Sequence, residues 1–227
     1  MCQTNQTKEV FMQKSNQKNS SDKIYDYIIE SIKQGKFKPK DRIKEQDLIQ
    51  ETGLSRTPIR EALGILVNEG ILVQDGKKGL MVSGLDLISI TKLYEMREFL
   101  EGEAARLATL FVSKVEIEIL HNIIEEQKHI SDIAEARANN VLFHEMIYRC
   151  SNNNYLFKIM QNLDKSLILL GESTLAKPER IQETYMEHAN IFEAIRKGDE
   201  KKAQEMARFH IHQAYKIRLE RVLKNKS

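Results

Sequence analysis

The chain has 227 residues, 41% of them hydrophobic, which suggests one large domain or two small ones with a real core. Its longest apolar run, at residues 167–170, is far shorter than the roughly 18 residues that a membrane span needs, and the polar amino terminus has no apolar signal core. The formal net charge of +2 implies no partner by itself, and two cysteines are too few for a disulfide framework, so we expect a reducing, cytoplasmic compartment.

The amino-terminal third begins with a segment, residues 1–20, whose Asn, Gln, Lys and Ser content is typical of a disordered tail. A first helix with one apolar stripe is predicted over about 21–34. Six basic residues and a single acid then fall within 33–44. This charge indicates either a solvated loop or a patch that faces phosphates. A short helix follows and ends at Gly53.

The next helix is predicted in the segment LSRTPIREALGILVNEG, residues 54–70. Thr57 can cap it, with Pro58 at the first helical position, where a missing N–H costs nothing. Two short strands around a turn follow in ILVQDGKKGLMV. Three helices and a small hairpin predict a winged helix-turn-helix over residues 21–84.

Two arginines in that helix do not serve its stability. Arg56 and Arg60 lie off the apolar face, and positive charge in the first turn opposes the helix dipole. An anionic partner would resolve this conflict, because guanidinium groups bind phosphates and guanine edges. A helical hairpin with two surface arginines is the alternative. The turn DGKKG favours DNA, because it places Lys77 and Lys78 at a wing tip beside the groove.

The motif LSRTPIREAL followed by LVNEGILV resembles the recognition-helix signature of the GntR family of bacterial transcriptional regulators. The resemblance covers roughly residues 20–84. It implies DNA contacts by the residues that match the family's positions, which are Ser55, Arg56, Thr57, Arg60 and the wing residue Gly76. Family members tend to carry an arginine where this chain has Gln46, so one DNA contact is expected to be weakened or replaced.

From Asp86 onward the hydrophobic periodicity is helical, with no repeat and no Gly-rich phosphate loop. After a first helix that contains the stripe around Arg97, periodic segments run over about 115–136, 139–151, 154–173, 178–197 and 199–223. The chain is therefore predicted to be mainly α, with an all-α bundle of about six helices over residues 85–227. We also expect this bundle to carry the dimer interface, although periodicity does not locate it.

Two histidines are expected to meet inside this bundle. His188 lies ten residues before the turn that joins the last two helices and His210 twelve after it, so an antiparallel pair places them at nearly the same height. His212 falls on a polar face instead. Asn140 and His144 are stacked one turn apart. These residues suit a borderline divalent metal, whereas a hydrogen-bonded core network of histidines is the alternative.

Arg97 interrupts the apolar stripe of the first bundle helix, and a buried arginine needs an anion. Glu101, four residues further on, is the simple partner. The carboxylate of a bound ligand is the other possibility.

Residues 86–227 resemble the helical effector domain of the FadR subfamily of GntR regulators, called FCD. In that domain an Asp/Asn-x-x-x-His pair and one histidine on each of the last two helices bind a metal such as zinc, nickel or manganese. The matching positions here are Asn140, His144, His188 and His210. The motif R-x-x-L-E implies that Arg97 holds a small organic acid beside the metal. Asparagine replaces the commoner aspartate at position 140, which lowers the negative charge of the site.

Together these features predict a homodimeric transcriptional regulator, in the first instance a repressor, which binds a short palindromic operator in double-stranded DNA. A small organic acid at the metal site would modulate operator binding. No catalytic residue is predicted. A helical metalloenzyme acting on a small carboxylate is the alternative, but the sequence has no obvious general base paired with the histidines. A scaffolding bundle would not explain inward-facing His188, His210 and Arg97.

Overall fold

The structure is a computed structural model that describes residues 19–76, 79–171 and 173–224. It divides into two compact units between Gly84 and Leu85. The predicted tail therefore lies outside the described residues except at its end. There Ser20 already belongs to the first helix, because Asn19 caps that helix in a capping box with Asp22.

The amino-terminal unit combines three helices with a small antiparallel sheet. The helices are α1 (Ser20–Lys33), α2 (Glu45–Thr52) and α3 (Arg56–Asn68), and the strands are β1 (Arg42–Ile43), β2 (Leu72–Gln74) and β3 (Leu80–Val82). The sheet order is β1-β3-β2, with Ile43 opposite Leu80 and Val73 opposite Met81. The sequence predicts a loop at β1, because two residues are too few to show the alternation of a strand.

The start of α3 differs from the prediction. Ser55, not Thr57, is the N-cap residue, and Pro58 is the third residue of the helix rather than the first. Ser55 makes no side-chain capping hydrogen bond. Pro58 contributes to this, because a capping oxygen accepts from the second or third helical N–H and proline has none to donate. The buried face of α3, with Ile59 and Leu63, packs against α1 as the apolar spacing requires.

The carboxy-terminal unit is an all-helical bundle. Its helices are α4 (Leu87–Phe111), α5 (Lys114–Gln127), α6 (Ile133–Cys150), α7 (Asn154–Ser166), α8 (Pro178–Arg196) and α9 (Glu200–Lys224), with a short 3-10 helix at Leu167–Leu170. Helix α4 packs along α9 and also against α6, α7 and α8. A central helix with four neighbours can supply polar side chains to a site inside the bundle.

Two boundaries in the bundle differ from the prediction. The predicted helix over 115–136 ends at Gln127, and α6 begins at Ile133 because Asp132 accepts hydrogen bonds from Ala134 and Glu135 backbone N–H groups. No Gly or Pro marks this break, so periodicity alone runs across it. The predicted helix over 154–173 ends at Ser166 and tightens into the 3-10 turn.

The last two helices form the antiparallel pair that the sequence predicts. Gly198 closes α8 with a φ of +71°, a left-handed conformation that favours glycine. The side chain of Asp199 then accepts a hydrogen bond from the N–H of Lys202 and starts α9. Among the described residues, no helix combines the length and apolar character that crossing a bilayer requires.

Candidate metal centre and nucleic-acid interface

Three buried histidines from three helices converge inside the bundle. They are His144 on α6, His188 on α8 and His210 on α9, and one ring nitrogen of each lies within 4.8 Å of the others. The Nε2 atom of His210 is 3.4 Å from that of His188 and 3.2 Å from that of His144. The ring of His188 also stacks on Phe143 at 3.9 Å, which fixes its plane.

The opposite nitrogen of each ring has its own polar partner. Nδ1 of His144 is 2.9 Å from Glu101 Oε2, and Nδ1 of His210 is 2.6 Å from Glu187 Oε2. Nδ1 of His188 is 3.0 Å from Gln127 Oε1. Because these partners are acceptors, each Nδ1–H donates to one of them. The Nε2 atoms of the three rings therefore face one another.

This donor set fits a metal ion. Burial and the neighbouring imidazoles hold the pKa of His188 well below its usual range, and burial lowers that of His210 to about 4. At neutral pH these two imidazoles are therefore uncharged, and their Nε2 lone pairs are available to a metal ion. Three imidazole donors with carboxylate or amide partners behind them are typical of sites for borderline divalent ions.

Asn140, the fourth predicted ligand, lies one turn before His144 on α6 and is half-buried. Within the described part of the chain its side chain makes no hydrogen bond. The structure thus brings the three histidines together and places Asn140 one helical turn before His144. Its neighbour Asn139 is buried and donates to the carbonyl oxygen of Ile123 instead.

Arg97 is buried beside this cluster and forms an ion pair with Glu101, the residue four positions further on in the same helix. Its NH2 nitrogen lies 2.8 Å from Glu101 Oε1, which also accepts from the Tyr148 hydroxyl at 2.8 Å. Burial alone would raise the pKa of Glu101, but His144 and Arg97 hold it at about 2. The Nε atom of Arg97 has no partner among the described residues, so the guanidinium keeps donor capacity.

A second arginine–glutamate pair flanks the cluster on α8, and sequence reasoning missed it. Arg180 is buried and binds Glu187 through two hydrogen bonds of 2.6 Å. Glu187 thus joins Arg180 to His210, as Glu101 joins Arg97 to His144. The spacing could have indicated this, because Arg180 lies two helical turns before His188, on the same buried face of α8. Gln127, the partner of His188, carries no such signal.

The predicted DNA-contacting residues at the start of α3 lie at the surface. Ser55, Arg56, Thr57 and Arg60 are all exposed. Arg60 Nε is 3.0 Å from both oxygens of Glu45, the first residue of α2. Arg56 forms no ion pair with the residues that the structure describes. Gln46, the position where the family tends to have arginine, is also exposed.

The wing is the turn between β2 and β3. Gly76 is exposed with a φ of +52°, and the turn closes through a 2.8 Å hydrogen bond from Asp75 N–H to the Gly79 carbonyl. Lys77 and Lys78 lie outside the described residues. Part of the basic segment at 33–44 is paired, since Lys36 binds Glu51 and Arg42 binds Asp75.

Comparison with known proteins places both units in one family. Residues 20–82 match the gntR family of bacterial regulatory proteins, and residues 92–213 match the FCD domain. The chain belongs to the GntR family, with an FCD domain after its helix-turn-helix unit. It is therefore a DNA-binding transcriptional regulator, and not the metalloenzyme that stood as the alternative.

Individual relatives agree with this assignment. The chain is 28% identical over 193 residues to the HTH-type transcriptional regulator YdhC of Bacillus subtilis strain 168, covering 83% of this chain and 86% of that protein. It is 33% identical over 158 residues to the gluconate operon transcriptional repressor of Bacillus licheniformis, covering 66% of this chain and 62% of the repressor. The solved structure of E. coli McbR/YncC shares the fold, with a TM-score of 0.75, 20% identity and coverage of 91% and 100%.

Proposed function

We propose that this regulator is a homodimeric repressor whose binding to a short palindromic operator is controlled by a small organic acid held at a divalent metal ion. The observation that carries the proposal is the meeting of three Nε2 atoms, each in a ring whose Nδ1 is held by a separate side chain. Because operator DNA lies in the bacterial cytoplasm, we expect the protein to be cytoplasmic.

In the proposed complex, the amino-terminal half of α3 enters the major groove. Arg56 and Arg60 would contact bases or phosphates, and Ser55 and Thr57 would contact the backbone. The wing, with Gly76, Lys77 and Lys78, would lie along the adjacent backbone. The exposure of the first four residues supports this role, because none of them is needed to bury α3.

The metal ion would be held by His144, His188 and His210, with the amide oxygen of Asn140 as a fourth ligand. Zinc, nickel and manganese all accept such a set of nitrogen and oxygen donors. Bound there, the ion would supply positive charge that attracts an acid. Glu101, Gln127 and Glu187 would orient the three rings, as outer partners of metal-bound histidines commonly do.

The acid would bridge the ion and Arg97. The unpartnered Nε of Arg97 supports this role, although Glu101 already neutralises the guanidinium. Acid binding would favour one of two arrangements of the DNA-binding units in the dimer. The coupling is expected to be about 1–3 kcal/mol, the usual range for two linked sites. The relative named as a gluconate operon transcriptional repressor supports the repressor role.

Two measurements test the proposal. Native mass spectrometry of the purified protein should show a dimer with one metal ion per chain, removable by a chelator. A titration of the DNA upstream of its own gene should then show that one small carboxylic acid changes operator affinity for the metal-loaded protein only. A monomer at operator-saturating concentration, or an acid effect that survives metal removal, would count against it.

A further inference from the structure

Two carboxylates, not one, stand beside Arg97. Glu101 accepts its hydrogen bond at 2.8 Å, while Asp164 Oδ1 from α7 lies 3.7 Å from the same nitrogen. The side chain of Arg97 is 7% exposed and that of Glu101 3%, whereas that of Asp164 is 38% exposed. Asp164 is therefore the more exposed carboxylate of the two at Arg97.

The ionisable groups around the histidines carry an excess of negative charge. We count Asp164 as a carboxylate because its Oδ1 lies 3.7 Å from the Arg97 guanidinium, which opposes the rise in its pKa that burial and Glu101 cause. Three carboxylates, those of Glu101, Asp164 and Glu187, then face two guanidiniums. The guanidiniums belong to Arg97 and Arg180. A divalent ion would change this net charge from one negative to one positive. Glu183 also touches Arg180, but it is 61% exposed and largely screened by water.

We infer that Asp164 determines the specificity of the acid site, which takes a monocarboxylate and discriminates against dicarboxylates. This inference rests on the proposed function. The single carboxylate of a monoacid neutralises the net positive charge that the site carries once the metal is bound. The second carboxylate of a diacid would make the net charge of the site negative again and would be repelled by Asp164. Like charges this close in a partly dehydrated site repel each other strongly.

The test compares acids that differ only by one carboxylate. In 2-hydroxybutyrate and malate a methyl group is replaced by a carboxylate, and in gluconate and glucarate a terminal alcohol is replaced. Calorimetric titration of the metal-loaded dimer gives a Kd for each acid. Metal content is measured before and after each titration, because diacids chelate ions in solution.

For the wild-type protein we expect the monoacid of each pair to bind at least about tenfold more tightly than the diacid, a modest value for one extra like charge. Asp164→Asn, which keeps the side-chain volume, should reduce that ratio to about threefold or less, mainly through tighter binding of the diacid. Glu183→Gln removes one negative charge at the other arginine and should leave the ratio unchanged.

Equal or tighter binding of the diacids by the wild-type protein would overturn the inference. So would an unchanged ratio in Asp164→Asn, or an equal reduction in Glu183→Gln, which would indicate a general effect of net charge. Each of these results leaves the proposed acid site standing, because the acids still bind. If the metal is retained but none of the acids binds, the acid role in the proposed function fails together with this inference.

Discussion

The two units place their candidate functional side chains in opposite environments. In the amino-terminal unit Arg56 and Arg60 are exposed, and α3 is held by its buried apolar face. In the bundle His188 and His210 are buried, and their hydrogen bonds are part of the core. Mutations of the functional side chains in the first unit should therefore change DNA binding without changing stability. In the bundle, mutations of the histidines should change both.

The largest expected effect comes from removing one histidine. His210→Ala should abolish metal binding, because the site loses a ligand and its link to Glu187. His212→Ala is the matched control on the same helix, since the His212 side chain is 46% exposed and lies near Glu98 and the ring of Tyr215 rather than near the other histidines. At a thousandfold excess of free metal over Kd, linkage predicts about 4 kcal/mol of stabilisation in wild type and control. Metal content and thermal melting measure both effects. A metal-loaded His210→Ala protein would show that the convergence of the rings is structural.

Acid should weaken the metal-free bundle. The folded-state pKa values of His188 and His210 lie below the unfolded value near about 6.5, so their contribution to stability is complete above that pH. It should fall as the unfolded chain takes up protons below about 6.5, and the loss through His210 is complete below its folded pKa of about 4. The expected loss is on the order of several kcal/mol.

Urea unfolding at pH 7.5, 6.5, 5.5 and 4.5 in the presence of a chelator measures this loss. His188→Asn should flatten the curve between the first and last of these values. The same slope in wild type and variant would assign the acid effect to carboxylates instead.

The arginines of α3 should affect DNA binding and little else. Replacing Arg56 or Arg60 with alanine should cost about 1–3 kcal/mol of operator affinity if each makes a bidentate base contact. The melting temperature should barely change, because both side chains are exposed. Arg137→Ala, an exposed arginine on α6, is the control and should leave operator affinity unaltered. A double variant with native affinity and native salt dependence would remove α3 from the interface.

The smallest effect is expected at Glu45. Its ion pair with Arg60 is exposed, with the Arg60 side chain 66% accessible, so Glu45→Gln should change stability by less than about 1 kcal/mol. The same change frees Arg60 for DNA and removes a negative charge near the phosphates. We therefore expect operator affinity to rise slightly, as measured by fluorescence anisotropy at two salt concentrations. A clear loss of affinity would mean that Glu45 holds Arg60 in the geometry that DNA requires.

Much of the architecture follows from the sequence, because periodic apolar faces and glycine stops are local signals. The shared height of His188 and His210 is one such result, since it needs only a helical rise and a turn. The strand at Arg42–Ile43 and the break before Ile133 were missed, because they depend on a distant strand and on a single capping aspartate. The hydrogen-bond partners of the three histidine Nδ1 atoms, Glu101, Gln127 and Glu187, were also missed. Pairing of Gln127 with His188 depends on how α5 lies against α8, which no local pattern encodes.

The sharing of Glu101 among three partners has a consequence for how the bundle assembles. Apolar helices can slide past one another by a turn at modest cost, because many apolar contacts are interchangeable. Here Glu101 on α4 must meet His144 and Tyr148 on α6, and Glu187 on α8 must meet His210 on α9. A slip of either pair would leave buried charges unpaired, at roughly 3–5 kcal/mol each. The polar cluster therefore sets the register of these helices, and an alternative packing of the same apolar faces is penalised before any metal ion arrives.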